Sequence, residues 1–380
     1  MNEKKQAIVI SAYDYYENRA EHICNLLKQN GYETVYLIAG YNHYTKKMVT
    51  EPRPEATVIP TIAYEKNVSL KRILSCLIFS KGVMKKIAED RPALVYSIIP
   101  PNSLSFRLGK GKKKYGYKLA LDIIDSWPES FSIGNKWVAL AIKPFFAFWR
   151  WVRNHYVDSA DVLIGVSEMA LSQLPQTDAP RRLLYPLPKA EGHDPGEVCS
   201  KDPDTVSLCY MGGINKLLNI DRVAEIVSSI GSKKRVHFHI IGAGEKKEYF
   251  INELKKAGAE IFDHGAIFDW EEKLKIYEVS DFGINVPNPS ALVTMSLKGS
   301  EYFCASLPVI SEAMGDTENI IAKYHTGINS TGLPAEEVAE LICNFTREQL
   351  SAMKKATREM YRIEFEGKLN EGLLSGVMED

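Results

Sequence analysis

The sequence predicts an α/β protein built as two doubly wound, Rossmann-like domains in tandem, and three observations carry that expectation. Short apolar runs of strand length alternate with longer amphipathic segments along nearly the whole chain. A stretch rich in Pro, Gly and charge interrupts the alternation near the middle. The length of 380 residues suits two domains, each large enough to bury its own core.

Taken in order, residues 7–11 (AIVIS) form an unbroken apolar run, as a strand covered on both faces requires. A polar loop, AYDYYENR, follows. Apolar residues then recur at helical spacing over residues 20–27 and stop at Asn30-Gly31. The next strand is expected at 33–39 (ETVYLIA), which makes a β-loop-α-β opening, the start of a parallel sheet. Strands are expected at 56–59, 93–99 and 118–124, and helices over 70–89 and near Ser103. Residues 161–167 (DVLIGVS) are the last clear strand of this half. Residues 186–204, PLPKAEGHDPGEVCSKDPD, lack periodicity and read as a linker. A second alternation places strands from Val206 (VSLCYMGG), at 236–241, 260–262, 282–286 and 308–311. Its helices fall at 220–229, 246–256, 271–279 and 336–344. The expected division is therefore an N-terminal domain over 1–187, a linker over 188–204, a C-terminal domain over 205–346, and a polar helical segment over 347–380 packing back across the domains.

Composition is that of an ordinary globular chain, with 45% hydrophobic and 25% charged residues. It excludes collagen, coiled coil, disordered tail and disulfide-stapled miniprotein. Net charge is −1, from 47 Lys+Arg and 48 Asp+Glu, yet the halves differ in sign. Residues 1–190 hold 27 basic against 17 acidic residues, and residues 191–380 hold 20 against 31. A basic half suits anionic lipid or phosphate. Cys24, Cys76, Cys199, Cys209, Cys304 and Cys343 are scattered without metal spacing and read as reduced thiols. The start, MNEKKQAIVISAY, lacks a signal-peptide h-region. The most apolar later stretch is broken by Lys143, Pro144 and Arg150, so a cytoplasmic location is expected.

Ligands of open α/β sheets bind at the carboxyl ends of strands, and two such domains facing a central cleft can hold a donor and an acceptor. The segment SLKGSEYF at residues 296–303 lies where a helix should start after the strand FGINV. Lys298 and Gly299 in its first turn read as an anion site. Glu301, one turn on, suits a vicinal diol such as a ribose. Lysine for phosphate with glutamate for ribose points to a nucleotide. A salt-bridged pair on a solvent-facing helix is the simpler alternative.

This segment, SLKGSEYFCASLPVIS, resembles the P-x-K-x-x-E-Y-x-A-x-G-x-P-V-I signature of GT-B glycosyltransferases of the group-1, or family 4, type. YMGGIN, HIIGAGE, DHGAIFDWEEKLKIYEVSDFGINV and MGDTENIIAKYHTGI resemble their further C-domain elements. IIDSWPESF and SADVLIGVSE resemble elements of capsule and exopolysaccharide transferases. The resemblance implies two Rossmann-like domains facing a cleft and a nucleoside diphosphate sugar as donor. It implies donor contacts from Gly212, Gly213, Lys216, Gly242, Gly244, His264, Gly265, Ser296, Lys298, Gly299, Ser300 and Glu301. Gly242 and Gly244 would face the base. It further implies catalytic roles for Lys298 and Asp125, with Glu129 as a further candidate should the reaction invert, and acceptor contacts from Tyr15, Arg19 and Trp127.

The chain departs from that pattern. Gly213, Leu218 and Val293 stand where relatives usually carry Arg, Lys and Glu. The only Asp-x-Asp triplet is Asp202-Pro203-Asp204 in the linker, so no metal and no resident cofactor is expected. Lys298 and the helix dipole would then stabilise the leaving group, with retention at the anomeric carbon. His237 and His239 read as strand histidines. The run KWVALAIKPFFAFWRWVR, from Lys136 to Arg153, joins Arg107, Lys110, Lys112, Lys113, Lys114 and Lys118 as a candidate surface for the inner face of an anionic membrane. A lipid-linked glycan of a surface polysaccharide is the expected acceptor, and no nucleic-acid partner is expected. Two alternatives remain, a catalytically silent GT-B subunit and a nucleotide-sugar epimerase.

Overall fold

The computed structural model describes residues 5–13, 16–43, 45–50, 55–66, 69–125, 136–194, 202–291 and 293–378. The chain forms two compact units. One is Met1–Tyr185 with Lys368–Asp380, and the other is Pro186–Gly367.

The first unit runs β1 (Gln6–Ser11), α1 (Glu17–Gln29), β2 (Glu33–Ala39), β3 (Ala56–Ile59), α2 (Leu70–Asp90), β4 (Leu94–Ile99), α3 (Asn102–Tyr115), β5 (Lys118–Ile123), α4 (Lys136–Asn154), β6 (Val162–Gly165), α5 (Glu168–Ser172) and β7 (Arg181–Leu183). Its seven strands are parallel in the order β3-β2-β1-β4-β5-β6-β7. Helices cover both faces of such a sheet, so β4 is buried at every position and is apolar except at Ser97. Ser69 caps α2 by accepting from the Arg72 amide, and Gly116 ends α3 in the left-handed region at φ 78°.

The second unit runs β8 (Thr205–Met211), α6 (Ile220–Gly231), β9 (Arg235–Ile241), α7 (Lys247–Lys256), β10 (Glu260–Gly265), α8 (Trp270–Glu278), β11 (Phe282–Asn285), α9 (Leu297–Cys304), β12 (Val309–Ser311), α10 (Asp316–Tyr324), β13 (Gly327–Asn329), α11 (Ala335–Asn344) and α12 (Arg347–Glu364). Its six parallel strands are ordered β10-β9-β8-β11-β12-β13. The core lies where Leu208, Phe238 and Ile284 of the strands meet Val223, Val227 and Ile230 of α6 and Phe250 of α7.

Strands β7 and β13 lie outside the sequence expectation. At three residues each, RRL and GIN carry no readable period. The tail also divides differently. Helix α12 belongs to the second unit, where Lys354 Nζ donates to Ser280 O at 2.8 Å and Tyr361 stacks on Phe365. Only the residues from Lys368 belong to the first unit, where Arg182 Nε donates to Gly372 O at 3.1 Å and Leu373, Leu374 and Val377 are buried. On the linker side, His193 N–H already donates to Cys304 O at 2.7 Å within the second unit. Cys199 lies outside the described residues.

Candidate functional site

The strand order of the second sheet reverses between β8 and β11, the place where open sheets leave a crevice for ligands. The loop leaving β8, Gly212-Gly213-Ile214, is laced to the turn after β9. Gly212 N–H donates to Ile241 O at 2.9 Å, Ile214 N–H to Ala243 O at 3.0 Å, and Lys246 N–H to Ile214 O at 3.1 Å. Gly242 N–H in turn donates to Gly265 O at 2.7 Å. A Cβ on Gly242 would stand 2.1 Å from Gly212 O, and one on Gly244 would stand 2.1 Å from Ile214 O. Loop-on-loop packing therefore demands these two glycines whatever the ligand. Towards β11, Asn288 N–H donates to Leu217 O at 2.7 Å. Leu218 is buried in the core, so the side chain at the position of a relative's lysine packs inward, while Lys216 is exposed on the same loop.

Helix α9 begins beyond β11. The Ser296 Oγ accepts from the Gly299 amide at 3.0 Å, which leaves the amides of Leu297 and Lys298 outside the helical ladder. Gly299 and Ser300 are buried. The half-buried Lys298 ammonium lies 4.4 Å from the centroid of the Tyr210 ring, a cation–π contact. The Tyr210 hydroxyl donates to Gly213 O at 2.8 Å, so one ring joins the ammonium to the glycine loop. No carboxylate lies against Lys298 among the described residues, and burial pushes its ammonium down to about 8.

Glu301 is 9% exposed and paired. Lys273 Nζ, on a residue 7% exposed, donates to Glu301 Oε2 at 2.8 Å, and the Tyr277 hydroxyl donates to the same oxygen at 3.2 Å. Oε1 accepts no hydrogen bond among the described residues. Oε2 thus already serves two donors within the protein. Lys273 and Tyr277 were not singled out from the sequence. The signal was present: Trp270, Lys273, Leu274 and Tyr277 stand at i, i+3, i+4 and i+7, so a lysine occupies the buried stripe of α8.

His264 is exposed at the end of β10, with Nε2 3.0 Å from His239 Nδ1 and the rings stacked at 5.3 Å. Burial, helped by His264 and His237, holds His239 down at about 4, and burial also lowers His264. Gly265 accepts from Gly242 as described above. Asp202 accepts from Thr205 Oγ1 at 2.8 Å and pairs with Arg235, at the amino ends of β8 and β9, the sheet edge opposite the glycine loop. Among the described residues no group of three or more His, Cys, Asp or Glu is placed to hold a metal ion.

In the first unit, Arg19 is placed otherwise than expected. It is 3% exposed, with Nη2 donating to Asp122 Oδ1 at 2.8 Å and Nη1 donating to the carbonyls of Leu184 at 2.8 Å and Tyr185 at 3.0 Å. The Tyr96 hydroxyl also donates to Asp122. Arg19 thus ties α1 to β5 and to the chain after β7, and its guanidinium faces the interior rather than an acceptor. Asp125 is half-buried just after β5, while Tyr15, Trp127 and Glu129 lie outside the described residues. At the switch between β1 and β4, a small apolar cavity of about 40 Å³ is lined by Tyr13, Arg72, Cys76, Pro100, Phe145 and Trp149.

Helix α4 buries Trp149 and Val152 and leaves Trp137, Leu140, Phe148 and Trp151 exposed. Lys110, Lys113, Lys114 and Lys118 are exposed on and just beyond α3, whereas Lys112 pairs with Asp161 at 2.8 Å. Among the described residues no helix is long and apolar enough to cross a membrane.

Two parallel doubly wound sheets, the second with its glycine loop and helix start at the strand switch, make a GT-B type of fold. No family model matches the chain, and no curated protein matches it in sequence. Solved structures do match it along nearly its whole length. Sucrose-phosphate synthase from Thermosynechococcus elongatus is similar with a TM-score of 0.68 at 14% identity, over 96% of each chain. Anabaena Alr3699/HepE, in complex with UDP and glucose, is similar with a TM-score of 0.61 at 12% identity, over 97% of this chain and 98% of its own. WaaG, a glycosyltransferase involved in lipopolysaccharide biosynthesis, is similar with a TM-score of 0.60 at 12% identity, over 94% of each chain.

Proposed function

We propose that the protein is a glycosyltransferase that moves a sugar from a nucleoside diphosphate to a lipid-carrier-linked glycan of a surface polysaccharide, without a metal ion and with retention. The observation that carries this reading is Lys298, an ammonium held at a helix start against Tyr210 with no carboxylate beside it among the described residues. Such a charge is costly alone and is compensated by an incoming anion. A diphosphate supplies that anion, and the free amides of Leu297 and Lys298 add donors for it. The HepE structure holds UDP, which makes UDP the first nucleotide to try.

In the reaction, the bond from the anomeric carbon to the β-phosphate oxygen breaks as the acceptor hydroxyl oxygen bonds to that carbon. The hydroxyl proton passes to the departing phosphate. Negative charge grows on the leaving group, and the Lys298 ammonium with the α9 amides stabilises it. Asp125 is the further residue that the resemblance to GT-B transferases assigns to the donor sugar. The exposed aromatic side of α4 beside the lysines of α3 supports contact with the inner face of an anionic membrane.

The test is transfer from a panel of nucleotide sugars by the wild type, Lys298→Ala and Glu301→Ala. Loss of Lys298 is expected to lower kcat about 10²–10³-fold in a folded protein. Normal turnover by either variant removes that residue from the site. A second reading, a GT-B subunit that binds nucleotide without turnover, is favoured by the buried Leu218, by Gly213 and by Val293, which offer no charge. Saturable nucleotide binding with no transfer to any acceptor would select it.

A further inference from the structure

Glu301 is the group proposed above to clasp the ribose, and its surroundings set what it can do. It sits on α9 between the fully buried Ser300 and Tyr302 and is itself only 9% exposed. Two side chains from α8 hold it in place. Lys273, which also lies over the Trp270 ring at 5.8 Å, donates to Oε2, and Tyr277 donates to the same atom. Burial raises Tyr277 well above the ordinary tyrosine range, so its hydroxyl keeps its proton and remains a donor. With Oε2 serving both, Oε1 accepts from no donor among the described residues.

We infer that Lys273, with Tyr277 in support, is a positioning residue that pins Glu301 Oε2, so that Oε1 receives the ribose hydroxyls of a nucleoside diphosphate. The inference rests on the nucleotide reading of the site. It differs from a stability role for the pair because it assigns Lys273 a part in distinguishing ribose from deoxyribose, which a merely structural ion pair would not have.

The experiment measures dissociation constants by calorimetry for UDP, GDP, ADP and CDP, each beside its 2′-deoxy counterpart, with wild type, Lys273→Met, Lys273→Arg and Tyr277→Phe. In the wild type the best-bound ribonucleotide is expected to bind at least tenfold more tightly than its deoxy form. Lys273→Met is expected to bring that ratio down to about one by weakening the ribonucleotide, with the deoxy form changed less than threefold. Lys273→Arg is expected to restore most of the ratio, and Tyr277→Phe to lower it by a smaller factor. Should Lys273→Met fail to fold, as its melting transition would report, Tyr277→Phe and Lys273→Arg carry the test. An unchanged ratio in Tyr277→Phe together with one lost in Lys273→Arg would then overturn the inference. A folded Lys273→Met with the wild-type ratio overturns it while leaving the nucleotide reading intact. A wild type that binds none of the four nucleotides overturns both.

Discussion

Lys298 holds a positive charge where its surroundings work against it. Burial pushes its ammonium down to about 8, so the free protein is mostly charged at pH 7 and loses that charge as pH rises through 8. A bound diphosphate favours the charged form and draws the proton back. Nucleoside diphosphate affinity is therefore expected to be flat near pH 7 and to fall roughly tenfold per unit well above pH 8. Lys298→Arg would keep its charge over that range and show no such fall, which calorimetry at pH 7, 8 and 9 reads directly. Arg19 makes the opposite case, because its charge is fully compensated. Arg19→Met leaves Asp122 buried without its cation and is expected to destabilise the first unit by about 3–5 kcal/mol. Urea unfolding measures this, and a variant of unchanged stability with a raised acceptor KM would instead reinstate Arg19 as an acceptor contact.

At the scale of elements, α4 and α3 together offer what an anionic bilayer surface recognises. Trp137, Leu140, Phe148 and Trp151 are exposed on one helix, and Lys110, Lys113, Lys114 and Lys118 are exposed on and beside the other. Binding to vesicles containing phosphatidylglycerol is expected to exceed binding to phosphatidylcholine vesicles, to weaken with salt, and to fall in a Lys113→Gln/Lys114→Gln variant. Equal binding to both vesicles, unchanged in the variant, contradicts it. These elements also show what the sequence allowed one to read. Strands β2 and β3 are legible to the residue because ETVYLIA and ATVI are bounded apolar runs. Strands β7 and β13 are illegible because three residues complete no pattern, and their place is set by neighbouring strands. The start of α9 was readable from its place after the apolar strand FGINV, which is how the candidate anion site came into view.

Across the whole molecule, the tandem of doubly wound sheets was legible, since alternating apolar runs and one interruption dictate it. The partners of the site residues were not. The Lys273–Glu301 pair joins α8 to α9 across 28 positions, and the Arg19–Asp122 pair joins α1 to β5 across 103; no local pattern specifies who meets whom at such separations. Charge pairing across the fold thus converts residues that look alike in sequence into different things: Arg19 into an interior tie, Lys273 into a support for a carboxylate, and Lys298 into a cation awaiting an anion. The last of these is the central claim, and the melting temperature tests it most directly, because a ligand that binds only the folded protein raises it. With a nucleoside diphosphate at one hundred times its dissociation constant, stabilisation of about 2.7 kcal/mol is expected for the wild type. Lys298→Met, relieved of its buried charge, is expected to melt higher than the wild type without ligand and to respond to none of the nucleotides. An equal nucleotide-induced rise in both proteins would contradict the account.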